Sequence, residues 1–282
     1  MEMSLSGICR AVREDILQMI YRAGSGHPGA SLSAVELLVA LYMTGMLRCD
    51  PSRPDDPARD RFILSKGHAV PALYSVLCRM GFFAREQLDT LRTLDGLLQG
   101  HPRLGITPGI DCSAGSLGQG LSIANGMALA FKRQQLPGRV YCLIGDGEQQ
   151  EGQIWEAALS AVQLRLSNVC VIVDNNHIQL DGATASVKKM EPIADKWRSF
   201  GWNVIGADGH DLADMEAAYR QAAACGDTPS VIIAETVKGK GISFMENSCD
   251  WHSNPPTREE LNAALAELSR QPAATDRVSA NR

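Results

Sequence analysis

"CLIGDGEQQEG", residues 142–152, closes an apolar run with an unexpected acidic turn. Val140-Tyr141-Cys142-Leu143-Ile144 reads as a buried strand, since a short continuous apolar run bounded by turn residues suits a strand covered on both faces. Asp146 then stands between Gly145 and Gly147, followed by Glu148, Gln149 and Gln150. A carboxylate flanked by backbone without side chains, at the carboxyl end of a core strand, raises the question of what approaches it. Outward from this point, "IWEAALSAVQLRL" reads as a helix and "NVCVIVDNN" as the next strand. Strand, helix and strand together form the unit from which parallel sheets are built.

The same alternation runs along the whole chain. "SGICRAVREDILQMIYRAG" has helical spacing and ends near Gly24, followed by the punctuated loop "GSGHPGAS". "LSAVELLVALYMTGML" reads as one mostly buried helix. "RFILS" reads as a short strand, and "KGH" turns it into a helix from about Ala69 to Arg79. "LQGHPRLGITPGIDCSAGSLGQG" is a long glycine-rich loop, of a length that is usually functional or disordered, and "LSIANGMALAFKRQ" is the small-residue helix after it. Beyond the second strand come a helix over 192–200, a strand at "WNVIGA", a helix over Asp211–Ala224 and a last strand, "SVIIAETV". The expected fold is α/β, a mostly parallel sheet with helices on both faces. One domain is expected over residues 1–268, with a disordered polar tail over 269–282.

Composition narrows the function classes. The net charge is −5 and no basic cluster occurs, so a nucleic-acid partner is not expected. No apolar run approaches the roughly 20 residues that span a bilayer, and the N-terminal helix is broken by Arg10, Arg13, Glu14 and Asp15, unlike a secretory leader. The eight cysteines are scattered without a CxxC pair, which suits a reducing compartment, and a cytoplasmic enzyme is expected.

In open α/β folds, ligands bind beyond the carboxyl ends of the strands. "GDGEQQEG" and "DNNHIQLDG" both open on that edge, with Asp146 and Asn176 30 positions apart (176 − 146). A carboxylate and an amide carbonyl are hard oxygen ligands that suit Mg²⁺ or Ca²⁺ rather than zinc, and magnesium completes its shell with water and phosphate oxygens. Gly145 and Gly147 would let backbone approach such a group.

"GDGEQQEG … VDNN" resembles the thiamine diphosphate signature, in which GDG and NN bracket about thirty residues. "SGHPGASLS", "LSKGHAVPALY", "GSLGQGLSIANGMA", "DNNHIQLDG" and "VKGKGISFMENSCDWH" resemble, in order, motifs of the N-terminal half of transketolase, over about residues 5 to 265. The resemblance implies thiamine diphosphate and Mg²⁺ (or Ca²⁺ or Mn²⁺ in its place) as cofactors. Asp146, the Asn176 side chain and the Ile178 carbonyl match metal ligands. Gly147 and the segment Gly115-Ser116-Leu117 match diphosphate and thiazolium contacts, while His68 and Lys238 match cofactor-contacting residues. His27, His101 and His252 match residues at the mouth of the active site, where sugar hydroxyls and the reacting carbonyl sit. His252 counts also among the cofactor contacts, and His177 and His210 are read as structural. Glu151 matches an acidic residue at the subunit boundary that joins a carboxylate link between cofactors, or simply suits the first turn of the following helix. Trp155 and Trp251 read equally as interface anchors or as core.

Full-length transketolases continue into a pyrimidine-binding domain, which carries the activating glutamate and arginines for the sugar phosphate, and then a C-terminal domain. The expectation is a split transketolase, in which a separate C-terminal subunit supplies both in an α₂β₂ assembly acting on sugar phosphates. His252-Ser253 replaces the family's His-Gly, which leaves a related two-chain carboligase or acyl transferase as an alternative. A non-catalytic remnant is the third, against which the retained Asp146 and Asn176 argue.

Overall fold

The computed structural model describes residues 3–270. Three helices lead: α1 (Leu5–Ala23), α2 (Pro28–Ser33) and α3 (Val35–Met43). Strand β1 (Arg61–Leu64), α4 (Val70–Met80), α5 (Gly120–Arg133), β2 (Val140–Gly145), α6 (Gly152–Gln163) and β3 (Val169–Asn175) follow. A small hairpin, β4 (Ile178–Gln179) and β5 (Gly182–Ala183), precedes α7 (Thr184–Val187) and α8 (Ile193–Ser199). The described chain ends with β6 (Asn203–Asp208), α9 (Leu212–Ala224), β7 (Ser230–Glu235) and α10 (Arg258–Arg270).

Five strands form one parallel sheet in the order β1-β2-β3-β7-β6. Successive side chains of a strand point to opposite faces, and the sequence supplies apolar residues at both parities. Tyr141, Leu143, Cys170, Ile172 and Ile232 join the core beneath α1, α3, α4, α9 and α10. Cys142, Ile144, Val171, Val173, Val231 and Ile233 join a second core with α5, α6 and α8. All seven β3 residues are buried, as the centre of a doubly covered parallel sheet requires. The α/β architecture matches the sequence reading.

Three elements depart from that reading. The helix expected across Leu32–Leu47 is broken at Ala34, whose N–H reaches only back to Ser31. The Ser33 hydroxyl points instead to Ala30 O (3.2 Å) and to the Asp174 carboxylate (2.6 Å), so the break ties the helix pair to β3. The β4–β5 hairpin was not foreseen, because two-residue strands carry no periodicity. Helix α10 was missed despite a start signal: Thr257 Oγ1 accepts from Glu260 N (3.2 Å) while the Glu260 carboxylate accepts from Thr257 N (2.7 Å), a reciprocal cap. This helix runs through Ser269 and Arg270, two residues into the stretch expected as a tail; residues 271–282 of that stretch lie outside the described residues.

The register lines up the functional residues. Gly145 pairs with Asp174, Asp174 with Ala234, and Asn175 with Glu235. The carboxyl ends of β1, β2, β3 and β7 therefore deliver Ser65–His68, Asp146, Asn176 and Thr236–Lys238 to one edge of the sheet.

Candidate active site

Asp146 is buried directly after β2. Its Oδ1 accepts from Gly147 N (2.7 Å), whereas Oδ2 is buried and meets no hydrogen-bond donor among the described residues. Burial, and then the neighbouring Asp174 charge, push this carboxyl up to about 6. A buried carboxylate oxygen without a donor is costly unless a cation serves it. Asn176, also buried, curls the chain back: its Oδ1 accepts from Ile178 N (3.1 Å), and His177 between them takes a left-handed φ of 62°. That turn and the hairpin after it set the Ile178 carbonyl, which accepts from Lys238 Nζ at 3.4 Å. The three residues matched to metal ligands thus come from two adjacent strand ends.

Above this floor, four imidazoles converge. His27 lies with its ring centroid 5.1 Å from His68, 5.5 Å from His252 and 6.5 Å from His101, and His68 lies 5.5 Å from His252. They arrive from four separate turns, before α2, after β1, in the long loop and before α10. Burial first, then nearby cations and imidazoles, lower His27 and His252 to about 4; His68 falls well below its ordinary value and His101 is lowered as well. All four are neutral near pH 7 and can accept or donate a hydrogen bond. Lys238 is buried, with Nζ 2.9 Å from His252 Nδ1, and burial together with Lys66 lowers it to about 8. It bridges the Ile178 carbonyl and the imidazole group.

Gly115, Ser116 and Leu117 are exposed, in the long loop. A Cβ on Gly115 would lie 3.4 Å from the His101 ring, and one on Gly67 would lie 3.1 Å from the backbone of Ala114 and Gly115. This segment therefore adjoins both His101 and the turn carrying His68. At Gly147 a Cβ would sit 3.0 Å from Gln179 Cβ, so the β4 side chain packs close over this backbone. Gly145 stands in open space, where a Cβ would meet nothing nearer than 3.9 Å. Its N–H is what the site uses, donating to Glu148 (3.0 Å).

Glu151 is exposed at the start of α6, makes no side-chain cap and sits beside Gly118 rather than among the imidazoles. Trp155 packs on Trp197 and Phe200 and donates to Gln149 O (2.7 Å). Trp251 packs against Phe244 and donates to its carbonyl (3.0 Å). His177 pairs with Glu235 (2.8 Å) at the surface, and His210 with buried Glu36 (3.0 Å) while accepting from Val237 N (2.8 Å). Ser253 has a φ of −140°, which any residue adopts, so serine stands there without strain.

Sequence reasoning missed the buried polar layer beneath the site. Asp174, fully buried, accepts from Ser33, Thr236 and Lys66, and Lys66 also reaches Ala30 O (3.1 Å). Burial raises the Asp174 carboxyl, but the Lys66 charge and the hydrogen bonds from Lys66, Ser33 and Thr236 outweigh it and hold it below its ordinary value. The available signal was an aspartate ending the run Val169–Val173, which cannot be buried there without partners.

A parallel α/β domain with a carboxylate, an amide and a carbonyl at adjacent strand ends, under a ring of neutral imidazoles, defines a thiamine diphosphate-binding fold of the transketolase type. Residues 5–281 match the family described as "Transketolase, thiamine diphosphate binding domain". The chain is 44% identical to the 6-deoxy-6-sulfo-D-fructose transketolase subunit SqwG of Clostridium sp. (strain MSTE9), over 96% of this chain and 98% of that one. It is 40% identical to an apulose-4-phosphate transketolase subunit of Phocaeicola vulgatus, over 91% of each chain. The solved transketolase from Leishmania mexicana superposes with a TM-score of 0.89 at 27% identity, covering 98% of this chain and 43% of that one. The chain belongs to the transketolase family, as its thiamine diphosphate-binding part. Among the described residues, no helix is long and apolar enough to cross a membrane.

Proposed function

We propose that this chain is the diphosphate-binding subunit of a two-chain transketolase. With a partner carrying the pyrimidine-binding and C-terminal domains, in an α₂β₂ assembly, it moves a two-carbon ketol unit from a ketose phosphate to an aldose phosphate. The observation that carries this reading is the buried, donor-free Asp146 Oδ2 beside the Asn176–Ile178 turn, beneath the imidazole group. Two relatives that this chain spans almost fully are named as transketolase subunits, which supports a separate partner. The eight cysteines are scattered without a CxxC pair, which supports a cytoplasmic setting.

The residues fit the group that the family implies. Asp146, Asn176 Oδ1 and the Ile178 carbonyl are hard oxygens suited to Mg²⁺, with Ca²⁺ or Mn²⁺ able to take its place. Gly115, Ser116, Leu117 and Gly147 would offer backbone to a diphosphate, and His68 and Lys238 would offer a donor and a positive charge. Bound thiamine diphosphate supplies the nucleophilic carbon and the electron sink for breaking and making a carbon–carbon bond. The protein's part is positioning and proton movement. His27, His101 and His252, neutral near pH 7, can each accept a proton from a sugar hydroxyl or hydrogen-bond the reacting carbonyl. Lys238 holds His252 Nδ1, which directs the other ring nitrogen away from the lysine. Glu151 is exposed at the start of α6, which supports a contact with the second subunit there.

The test is cofactor binding by the full chain purified with its native partner. Asp146→Ala is expected to remove Mg²⁺-dependent thiamine diphosphate binding, measured by calorimetry, with the circular dichroism spectrum unchanged. Cofactor affinity equal to wild type would remove Asp146 from the metal site and with it the basis of this reading.

A further inference from the structure

Glu148 follows the Asp146-Gly147 turn and is only 3% exposed. Its Oε1 accepts from the Ser65 hydroxyl and from Gly118 N (2.9 Å), and its Oε2 accepts from Gly145 N (3.0 Å). Ser65 Oγ accepts in turn from Gly120 N at 3.1 Å. These donors come from three segments distant in sequence. Ser65 precedes Lys66-Gly67-His68, Gly118 closes the stretch that begins Gly115-Ser116-Leu117, and Gly145 opens the turn that holds Asp146.

Among the described residues, no cation forms an ion pair with Glu148. Burial raises its carboxyl; three hydrogen-bond donors and, at a distance, the Lys66 charge oppose that. An apolar side chain of similar size would leave the donors of Ser65, Gly118 and Gly145 without their acceptor, so the carboxylate is what serves all three segments at once. What a carboxylate with three fixed donors provides is a fixed spacing between the segments that bear them. The packing around it is equally close. A Cβ on Gly120 would fall 2.4 Å from Ser65 Cβ, and Gly118, at φ 83°, would place one 2.8 Å from Glu151 Cβ.

We propose that Glu148 is a positioning residue that locks the three cofactor-facing segments at one spacing, so that Asp146, the Gly115–Leu117 backbone and His68 address a single ligand. The proposal rests on the cofactor reading above. Glu148 acts through Gly145, Gly118 and Ser65 and touches no reacting atom.

The experiment measures thiamine diphosphate affinity in the presence of Mg²⁺, by calorimetry on the full chain with its native partner. Wild type, Glu148→Gln, Ser65→Ala and the double variant are compared, together with cofactor-free melting temperatures. Glu148→Gln keeps the size but turns an amide N–H toward one of the backbone donors. It is expected to weaken cofactor binding by about 10- to 100-fold, the usual scale for outer-layer positioning groups. Turnover at saturating cofactor should stay within about 3-fold, and the double variant should bind no worse than Glu148→Gln alone, because Ser65 acts through Glu148. Wild-type affinity in Glu148→Gln, or a fall in melting temperature with affinity preserved, would overturn the proposal, as would additive losses in the double variant. If Glu148→Gln does not fold, Ser65→Ala decides alone: weaker binding with unchanged melting supports the hub, and unchanged binding overturns it. If wild type itself binds no cofactor, the functional reading falls and Glu148's role with it; if wild type binds and the variants match it, only the hub falls.

Discussion

Asp146 and Asp174 are both buried carboxylates at this sheet edge, and they differ in how their oxygens are served. Both oxygens of Asp174 have protein partners, Lys66 and Ser33 on one and Thr236 on the other. Asp146 Oδ2 has none among the described residues. The first is therefore a structural charge, while the second leaves an oxygen unserved, as the metal role proposed above requires. Asp174→Ala would leave the Lys66 ammonium buried and unpaired, and should lower stability by about 3–5 kcal/mol in denaturant unfolding. His27→Ala should act differently, because His27 neighbours the other imidazoles and makes no contact with the metal-ligand set. Cofactor affinity is expected to stay within about 3-fold while turnover drops by about 10²–10⁴-fold, the range for a lost proton-transfer group, measured by steady-state kinetics. Asp146 and Asn176 were legible in the sequence because each directly follows an apolar strand. The Lys66–Asp174 pair was not, since its partners lie 108 positions apart and only the fold joins them. Glu148 was visible as an acidic residue in the quoted turn, but its three donors come from elsewhere in the chain.

Among the elements, the five strands of the parallel sheet were legible, whereas the β4–β5 hairpin and α10 were not. A run such as Val169–Val173 can only be a strand buried on both faces, and the two cores divide along its alternation. Ile172→Ala in the middle of β3 should cost about 2–5 kcal/mol, read from the same unfolding curves. The turns that carry the imidazoles make a different prediction. His27 and His252 have folded-state values near 4, below the ordinary 6.5. Between those values the unfolded chain binds protons that the folded chain refuses, so stability rises with pH over that window and is lost as pH falls through it. The groups around His27 (Arg92, Lys238 and the other three imidazoles) add no negative charge to reverse the sign. Asp146, raised to about 6, works the other way over the same window, but His27, His252, His68 and His101 are all lowered, so melting temperature should fall from pH 7 to pH 4.5, with a shallower slope in His27→Asn. An equal slope in that variant would place the acid sensitivity elsewhere.

For the whole molecule, the informative contrast lies in the lengths of its relatives. The chain spans 98% of one transketolase subunit but 43% of the full-length Leishmania mexicana enzyme. The described residues form the thiamine diphosphate-binding part of the family, and the function proposed above assigns the rest of the site to a second chain. The exposed Gly115–Leu117 segment and the exposed Glu151 adjoin that site. The most direct measurement of the central claim is affinity capture of the tagged full chain from its native extract, with thiamine diphosphate and Mg²⁺ present. The account predicts a stoichiometric second chain that carries a pyrimidine-binding domain, and ketol transfer only when both chains are present. Recovery of this chain alone, binding cofactor and catalysing ketol transfer without a second chain, would contradict it.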